Sequence, residues 1–294
     1  SNANIVEFMC TVALASGGMA NVKVPSVNNE TPDYSALNSK LAGIGGESWM
    51  LAGATGARGR GSLAMGNGAQ IDSYQSIVIG YQAAVKEVGS GAQAPNSLVL
   101  GSNSLVDLSA TNGGTVTASG AVALGYGAKV IGNSSGKSGT APHQINMNDV
   151  IVLGNGTSIS SNSIGPINSV ASSIAIGKGA NVYSSTVGNA VSDASSVIVI
   201  GEYAKAGSTG GGSVTDTVVL GSRAVADGNQ GRITNKSVAI GAESKVSSEI
   251  SVAIGAGAGT DNSAVGDVGN AAIGAYSGNN VQGSGNSAVG YGSG

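Results

Sequence analysis

A short phrase, Ser237-Val238-Ala239-Ile240-Gly241, recurs along this chain in close variants that each end on a glycine. Such recurrence indicates stacked copies of one structural unit, which restricts the fold to repeat architectures. Successive glycines lie 14 to 29 residues apart, so we interpret 14 residues as the bare unit and each longer gap as a unit plus an insertion. The glycines are Gly66, Gly80, Gly101, Gly125, Gly154, Gly177, Gly201, Gly221, Gly241, Gly255, Gly274 and, in a weaker copy, Gly290.

The residues before each glycine predict a β-strand that is apolar on both faces. In the first eleven copies the residues three and one positions before the glycine are apolar, as in Val238 and Ile240, which is typical of a strand facing a core. The residue between them should then face water, yet it is always alanine or valine. A partner chain is expected to cover this second face, so the row is a candidate oligomer interface. The row comprises Ala64, Val78, Val99, Ala123, Val152, Ala175, Val199, Val219, Ala239, Ala253 and Ala272.

A second strand follows each glycine. The third residue after the glycine is small, as in Ala69, and the residue two further on is usually apolar, as in Ile71. The residue between them is often polar, as in Gln70 and Lys129, so this strand is expected to have one wet face. Each unit is therefore interpreted as strand, short turn, strand and return loop, and such units stack on their neighbours. The predicted fold is an all-β, flattened parallel β-roll.

The insertions are rich in Gly, Ser, Thr and Asn. This composition is typical of loops, so we expect a row of surface loops along one edge of the roll, where a ligand would bind or the chain would simply be solvated. The insertions span residues 86–96, 107–120, 131–149, 160–172, 183–195, 207–216 and 227–236.

Composition excludes several other classes of protein. Fifty glycines with one phenylalanine and one tryptophan do not suit a large aromatic core, and 41% hydrophobic with 10% charged residues argues against generic disorder. A net charge of −3 gives no electrostatic footprint for nucleic acid, which we do not expect as a partner. No apolar run is long enough to span a membrane as a helix.

The N-terminal region matches the repeat poorly. Residues 1–3 resemble the remnant of an expression tag, residues 4–60 are predicted to form a divergent cap, and residues 61–294 the repeat domain. Within the cap, Thr31–Asp33 indicates the start of a short helix. The bulky apolar cluster that begins at Trp49 is expected to cover the end rung of the solenoid.

Residue types that carry chemistry are sparse. Cys10 is the single cysteine and excludes an intrachain disulfide; we interpret it as a small buried thiol, with an interchain bond or a reactive thiol as the alternative. His143 is the single histidine and is expected to be a solvated loop residue. With no second histidine and only scattered carboxylates, we predict no catalytic site, no metal site and no cofactor.

Three phrases carry a resemblance to a known family. They are Asn96–Gly101, Ser173–Ala180 and Lys236–Ser244, which closely resemble the NSVAIGxxS repeat of YadA-like head domains in trimeric autotransporter adhesins. The resemblance covers roughly residues 60–294 and implies three identical left-handed parallel β-rolls around a threefold axis. It also implies display at the surface of a Gram-negative bacterium, with a stalk and an outer-membrane barrel that this sequence does not contain. The frequent insertions and the divergent cap depart from the family pattern.

The leading functional hypothesis is a non-enzymatic adhesin head that binds host cells, extracellular matrix proteins or other bacteria. A second hypothesis is a structural spacer of a trimeric surface fibre without a ligand of its own. A third is a β-solenoid enzyme such as a hexapeptide-repeat acyltransferase, which would show an apolar recurrence every six residues and a histidine base near the interface. The sequence shows neither of these features.

Overall fold

The structure is a computed structural model of the 294-residue chain. It describes residues 6–13, 19–26, 49–51, 54–57, 60–135, 143–164, 167–187, 191–229, 232–260, 268–278 and 283–294. These residues form strands joined by turns, and most of the strands are parallel, which confirms the predicted all-β fold and its stacked repeats. None of the described residues belongs to a helix long and apolar enough to cross a membrane.

The N-terminal region contributes a separate antiparallel hairpin. Strands β1 (Val6–Ala13) and β2 (Met19–Ser26) pair along their whole length, with Cys10 opposite Val22. The helix predicted to start at Thr31–Asp33 lies outside the described residues.

The largest sheet, here called the front sheet, has 13 parallel strands of three residues each. Each strand pairs in register with the next copy of the phrase, so the phrase marks successive rungs of a ladder. Trp49–Leu51 is the first strand, in register with Leu63–Met65. The strands are β3 (Trp49–Leu51), β5 (Leu63–Met65), β7 (Ile77–Ile79), β10 (Leu98–Leu100), β13 (Val122–Leu124), β16 (Ile151–Leu153), β19 (Ile174–Ile176), β22 (Ile198–Ile200), β24 (Val218–Leu220), β26 (Val238–Ile240), β28 (Val252–Ile254), β30 (Ala271–Ile273) and β31 (Ser287–Val289).

The strand that follows each turn joins a second parallel sheet, here called the back sheet, of 11 strands. Most of its inward residues are fully buried and most of the intervening ones are half-buried or exposed, which confirms the predicted wet face. The strands are β4 (Gly56–Ala57), β6 (Gln70–Ile71), β8 (Ala84–Val88), β11 (Leu105–Thr111), β14 (Lys129–Ser135), β17 (Ser158–Ile164), β20 (Asn181–Val187), β23 (Lys205–Thr209), β25 (Val225–Gly228), β27 (Lys245–Val246) and β29 (Gly259–Thr260).

The insertions build a third sheet, here called the side sheet, of five parallel strands. They also lengthen the back strands, from two residues in β6 to seven in β11 and β14. The predicted row of surface loops is therefore wrong for most of the described insertion residues, because polar residues pair their backbones rung by rung as readily as apolar ones. The strands are β9 (Ala92–Gln93), β12 (Thr115–Thr117), β15 (Gln144–Asn146), β18 (Ile167–Ser169) and β21 (Ser192–Asp193).

A hydroxyl ladder begins several of the front strands. The side chain of the residue before the strand accepts a hydrogen bond from the backbone N–H of its counterpart in the next rung: Ser62 from Ser76 at 3.2 Å, and Ser237 from Ser251 at 3.1 Å. Ser237 Oγ also donates to the Ser248 carbonyl at 2.9 Å. These serines are fully buried, so the opening serine of the phrase is a structural residue inside the solenoid.

Candidate interface on the front sheet

The outer surface of the front sheet is an uninterrupted aliphatic face. Each strand from β5 to β31 points its first and third side chains outward, and these are Leu, Ile, Val, Met or Ala except for Ser287. Large residues on this face are substantially exposed, including Ile77 at 41%, Leu153 at 41% and Val289 at 69%. We call this surface the front face.

The middle residues of the strands point the opposite way. The predicted orientation of the Ala/Val row is wrong, since these side chains are at most 1% exposed and lie in the chain's own core. A partner chain cannot cover side chains that the same chain already encloses. The buried middle residues, which are therefore not an interface, are Ala64, Val78, Val99, Ala123, Val152, Ala175, Val199, Val219, Ala239, Ala253 and Ala272.

Side-chain size and the hydroxyl ladder explain why the middle residue of each strand faces the core of its own chain. From β5 to β31 the middle residue is never larger than valine, which suits a narrow space between two sheets, whereas the outward positions hold isoleucine and leucine. The serine before the strand shares the inward direction of the middle residue because side chains alternate along a strand. The hydroxyl of this serine is satisfied inside the solenoid by the ladder.

Two ridges of left-handed residues border the front face. The residue two positions before each strand from β5 to β31 has a φ between +51° and +74°, and so has the residue three positions after it. The leading ridge comprises Gly61, Gln75, Asn96, Gly120, Asp149, Ser172, Ser196, Asp216, Lys236, Ile250, Gly269 and Gly285. The trailing ridge comprises Gly68, Gln82, Asn103, Gly127, Gly156, Gly179, Tyr203, Arg223, Glu243, Gly257, Tyr276 and Gly292.

The glycine that ends the phrase fixes how closely the rungs stack. A Cβ built on Gly221, whose φ is +142°, would lie 2.3 Å from the carbonyl oxygen of Gly241 in the next rung. A Cβ on any phrase-ending glycine from Gly66 to Gly274 would likewise lie 2.2 to 2.8 Å from a carbonyl oxygen of the next rung. Glycine is therefore required at this position both by its backbone conformation and by the neighbouring rung.

Charged side chains pair along the trailing edge of the front face. Lys178 Nζ lies 3.3 Å from Glu202 Oε1 in the next rung and 5.5 Å from the centre of the Tyr203 ring. Hydrogen bonding to Glu202 and then to Tyr203 raises the pKa of Lys178 above its usual value of 10.5. Arg223 Nη1 lies 3.5 Å from Glu243 Oε1. All of these groups are exposed, so the pairs add little stability within one chain.

His143 differs from its prediction as a solvated loop residue. It is only 6% exposed, at the start of the side strand β15. Its backbone carbonyl accepts hydrogen bonds from Ser134 Oγ at 3.1 Å and from the Thr115 N–H at 2.8 Å. The side-strand pairing encloses this residue, which the insertion composition alone did not predict.

The described part of the chain holds no group of three or more His, Cys, Asp and Glu side chains placed to bind a metal ion. No protein-family model matches the sequence, and no curated protein matches it. The front face, with its two ridges, is accordingly the candidate site that the structure itself offers.

Proposed function

We propose that this chain is the non-enzymatic head of a trimeric surface adhesin, in which three copies bring their front faces together around a common axis. The head binds host cells, extracellular matrix proteins or other bacteria. It is carried on the surface of a Gram-negative bacterium by segments outside these 294 residues, which anchor it to the outer membrane.

The observation that supports this proposal is the length of the exposed front face. The twelve strands from β5 to β31, at the usual spacing, make a face of roughly 53 Å. Its outward aliphatic side chains expose on the order of 1,000 Å² to water, more than the few hundred Å² that a monomer ordinarily leaves exposed. A stable interface buries about 800 Å² per partner, so the face is large enough for one.

The number of copies comes from the resemblance of the phrases to YadA-like heads. A cyclic arrangement places one border of the front face against the opposite border of the next copy and closes after three such contacts. Three parallel copies also present every surface feature three times, so that weak contacts combine into avidity.

A binding assay tests the adhesin function. The purified chain is immobilised and exposed to collagen, fibronectin, laminin, cultured cells and bacteria, with a monomeric front-face variant as the matched control. We expect the trimer to bind at least one ligand at least about tenfold more strongly than the monomer, because attachment is multivalent. Equal and negligible binding by both forms would contradict the proposal.

One structural observation favours the spacer as a second candidate. The insertions, for which the sequence left open either a ligand site or solvated loops, largely form regular strands of the back and side sheets. Replacing Gln93, Thr117 and Gln144 with lysine changes the outer surface of the side sheet without removing a hydrogen bond described here. If this variant no longer attaches, the binding surface is the side sheet. If attachment is unchanged both in this variant and in one with equivalent lysines on the back sheet, the spacer is favoured.

A further inference from the structure

The charges on the two ridges are complementary at two successive rungs. At β24 the leading ridge carries Asp216 and the trailing ridge carries Arg223. At β26 the signs are reversed, with Lys236 on the leading ridge and Glu243 on the trailing ridge. All four residues are exposed at the borders of the front face.

We infer that these four residues form an ionic clasp between neighbouring copies, which fixes the copies parallel and level with one another. This inference rests on the proposed trimer. In a cyclic assembly the leading ridge of one copy meets the trailing ridge of the next, so Asp216 faces the Arg223 of its neighbour and Lys236 faces the neighbour's Glu243. Because Arg223 and Glu243 already pair within one chain at 3.5 Å, each clasp is a square of alternating charges.

The charge pattern distinguishes this register from its neighbours. If one copy moved by one rung in one direction, Asp216 would face Glu243. If it moved by one rung in the other direction, Lys236 would face Arg223 and Asp216 would lie beside Glu202 and Tyr203. Of these three arrangements, only the level one forms both attractive pairs and no repulsive pair.

The apolar face alone does not specify the register. Successive front strands present nearly the same aliphatic pair, so a shift by one rung buries almost the same area. Charged border residues are a common means of selecting one alignment among several that are otherwise similar in apolar burial.

The experiment reverses the ridges separately and together. One variant carries Asp216→Lys with Lys236→Glu, a second carries Arg223→Glu with Glu243→Arg, and a third carries all four changes. The second variant keeps the opposite charges of its intrachain pair. Subunit exchange between labelled and unlabelled trimers is followed by native mass spectrometry at low and high ionic strength.

We expect each double variant to exchange subunits at least about tenfold faster than the wild type at low salt, because two attractive contacts become repulsive at each interface. The effect should shrink at high salt. The four-residue variant should return to the wild-type rate, since it restores every opposite pairing.

A matched control uses the other ion pair on the trailing edge. Lys178→Glu with Glu202→Lys reverses a pair whose leading-ridge counterparts at β19 and β22 are Ser172 and Ser196. This variant should exchange at the wild-type rate. A change as large as that of the ridge variants would show a general effect of surface charge and would overturn the clasp.

The outcomes separate the clasp from the trimer. A wild-type chain that is monomeric or dimeric contradicts the proposed trimer. A wild-type trimer whose exchange is unaffected by either double variant, or is not restored by the four-residue variant, overturns the clasp and leaves the trimer standing. Wild-type exchange by only one of the two double variants likewise overturns the clasp, because reversing either ridge makes the same two contacts repulsive.

Discussion

At the scale of the residue, the fold depends on backbone positions that most side chains disfavour. From β5 to β30, each front strand is bordered by two left-handed residues and followed by a glycine that contacts the next rung. Several ridge positions are occupied by residues other than glycine or asparagine, including Tyr203, Arg223 and Ile250. Such residues store a strain of about 1–2 kcal/mol each.

Replacing Gly221 with alanine should strongly destabilise the chain. The added Cβ would meet the Gly241 carbonyl at 2.3 Å, so two rungs would have to separate, and we expect a loss of about 3 kcal/mol or more. Gly127→Ala is the matched control, since its φ is +63° with nothing within 4 Å of the new Cβ, and it should cost only about 1 kcal/mol. Thermal melting at a fixed protein concentration compares the two. Equal effects would show that the contact between rungs is unimportant.

Replacing Ile250 with asparagine should stabilise the chain. Ile250 is β-branched, has a φ of +52° and is 54% exposed, so the change relieves strain and removes little burial. We expect a gain of about 1 kcal/mol, seen as a higher melting temperature. Ile233→Asn tests whether the gain comes from the backbone, because Ile233 is also exposed but does not have a positive φ. An equal gain there would contradict this explanation.

At the scale of the element, polar ladders stabilise stacked strands from within. Ser237 Oγ accepts from the Ser251 N–H and donates to the Ser248 carbonyl. By contrast, Ser73 Oγ is buried and has no hydrogen-bond partner among the residues that the structure describes. Ser237 directly precedes a front strand, whereas Ser73 lies between β6 and β7, so only Ser237 belongs to the hydroxyl ladder.

Replacing Ser237 with alanine should therefore destabilise the solenoid. The change leaves a buried backbone N–H on Ser251 without its acceptor, at a cost of about 1–3 kcal/mol. Ser73→Ala should be neutral or slightly stabilising, because it removes an unsatisfied buried hydroxyl. Denaturant unfolding at a fixed protein concentration measures the difference. A cost at Ser73 as large as that at Ser237 would show that the ladder has no special role.

Much of the element architecture could be predicted from the sequence, while the orientation of the front strand could not. Inward back-sheet residues such as Ile71 and Val130 were identified correctly, because polar Gln70 and Lys129 separate them from the preceding apolar residue. The front strand gave no such contrast, since Val218, Val219 and Leu220 are all apolar. The size of the middle residue was the signal that distinguished the faces. The side sheet was not predicted because its strands have the composition of loops.

At the scale of the whole molecule, the inward and the outward apolar residues of the front strand have different roles. Val219 belongs to the core of one chain, while Leu220 belongs to the front face. A charge on the first should abolish folding, whereas a charge on the second should act on assembly. The proposed trimer is therefore tested at outward residues such as Leu220, and not at middle residues such as Val219.

Replacing Leu220 and Ile240 with aspartate should produce a folded monomer. Both side chains point outward, so the charges stay hydrated in the single chain and oppose only the packing of three copies. Val219→Asp with Ala239→Asp should instead leave the chain unfolded, since both sites are fully buried. Sedimentation velocity and circular dichroism distinguish these outcomes. A folded trimer from the Leu220→Asp, Ile240→Asp variant would contradict the interface.

The glycine and its two left-handed neighbours also have an evolutionary consequence. Each front strand is held between fixed borders, so added residues lie between the trailing ridge of one rung and the leading ridge of the next. Unequal recombination between two copies of the phrase would add or remove whole rungs without disturbing the remaining joints. Lineages carrying such a gene can therefore change the length of the solenoid and the chemistry of its back and side sheets independently, while the front face, which we propose joins the copies, is inherited unchanged.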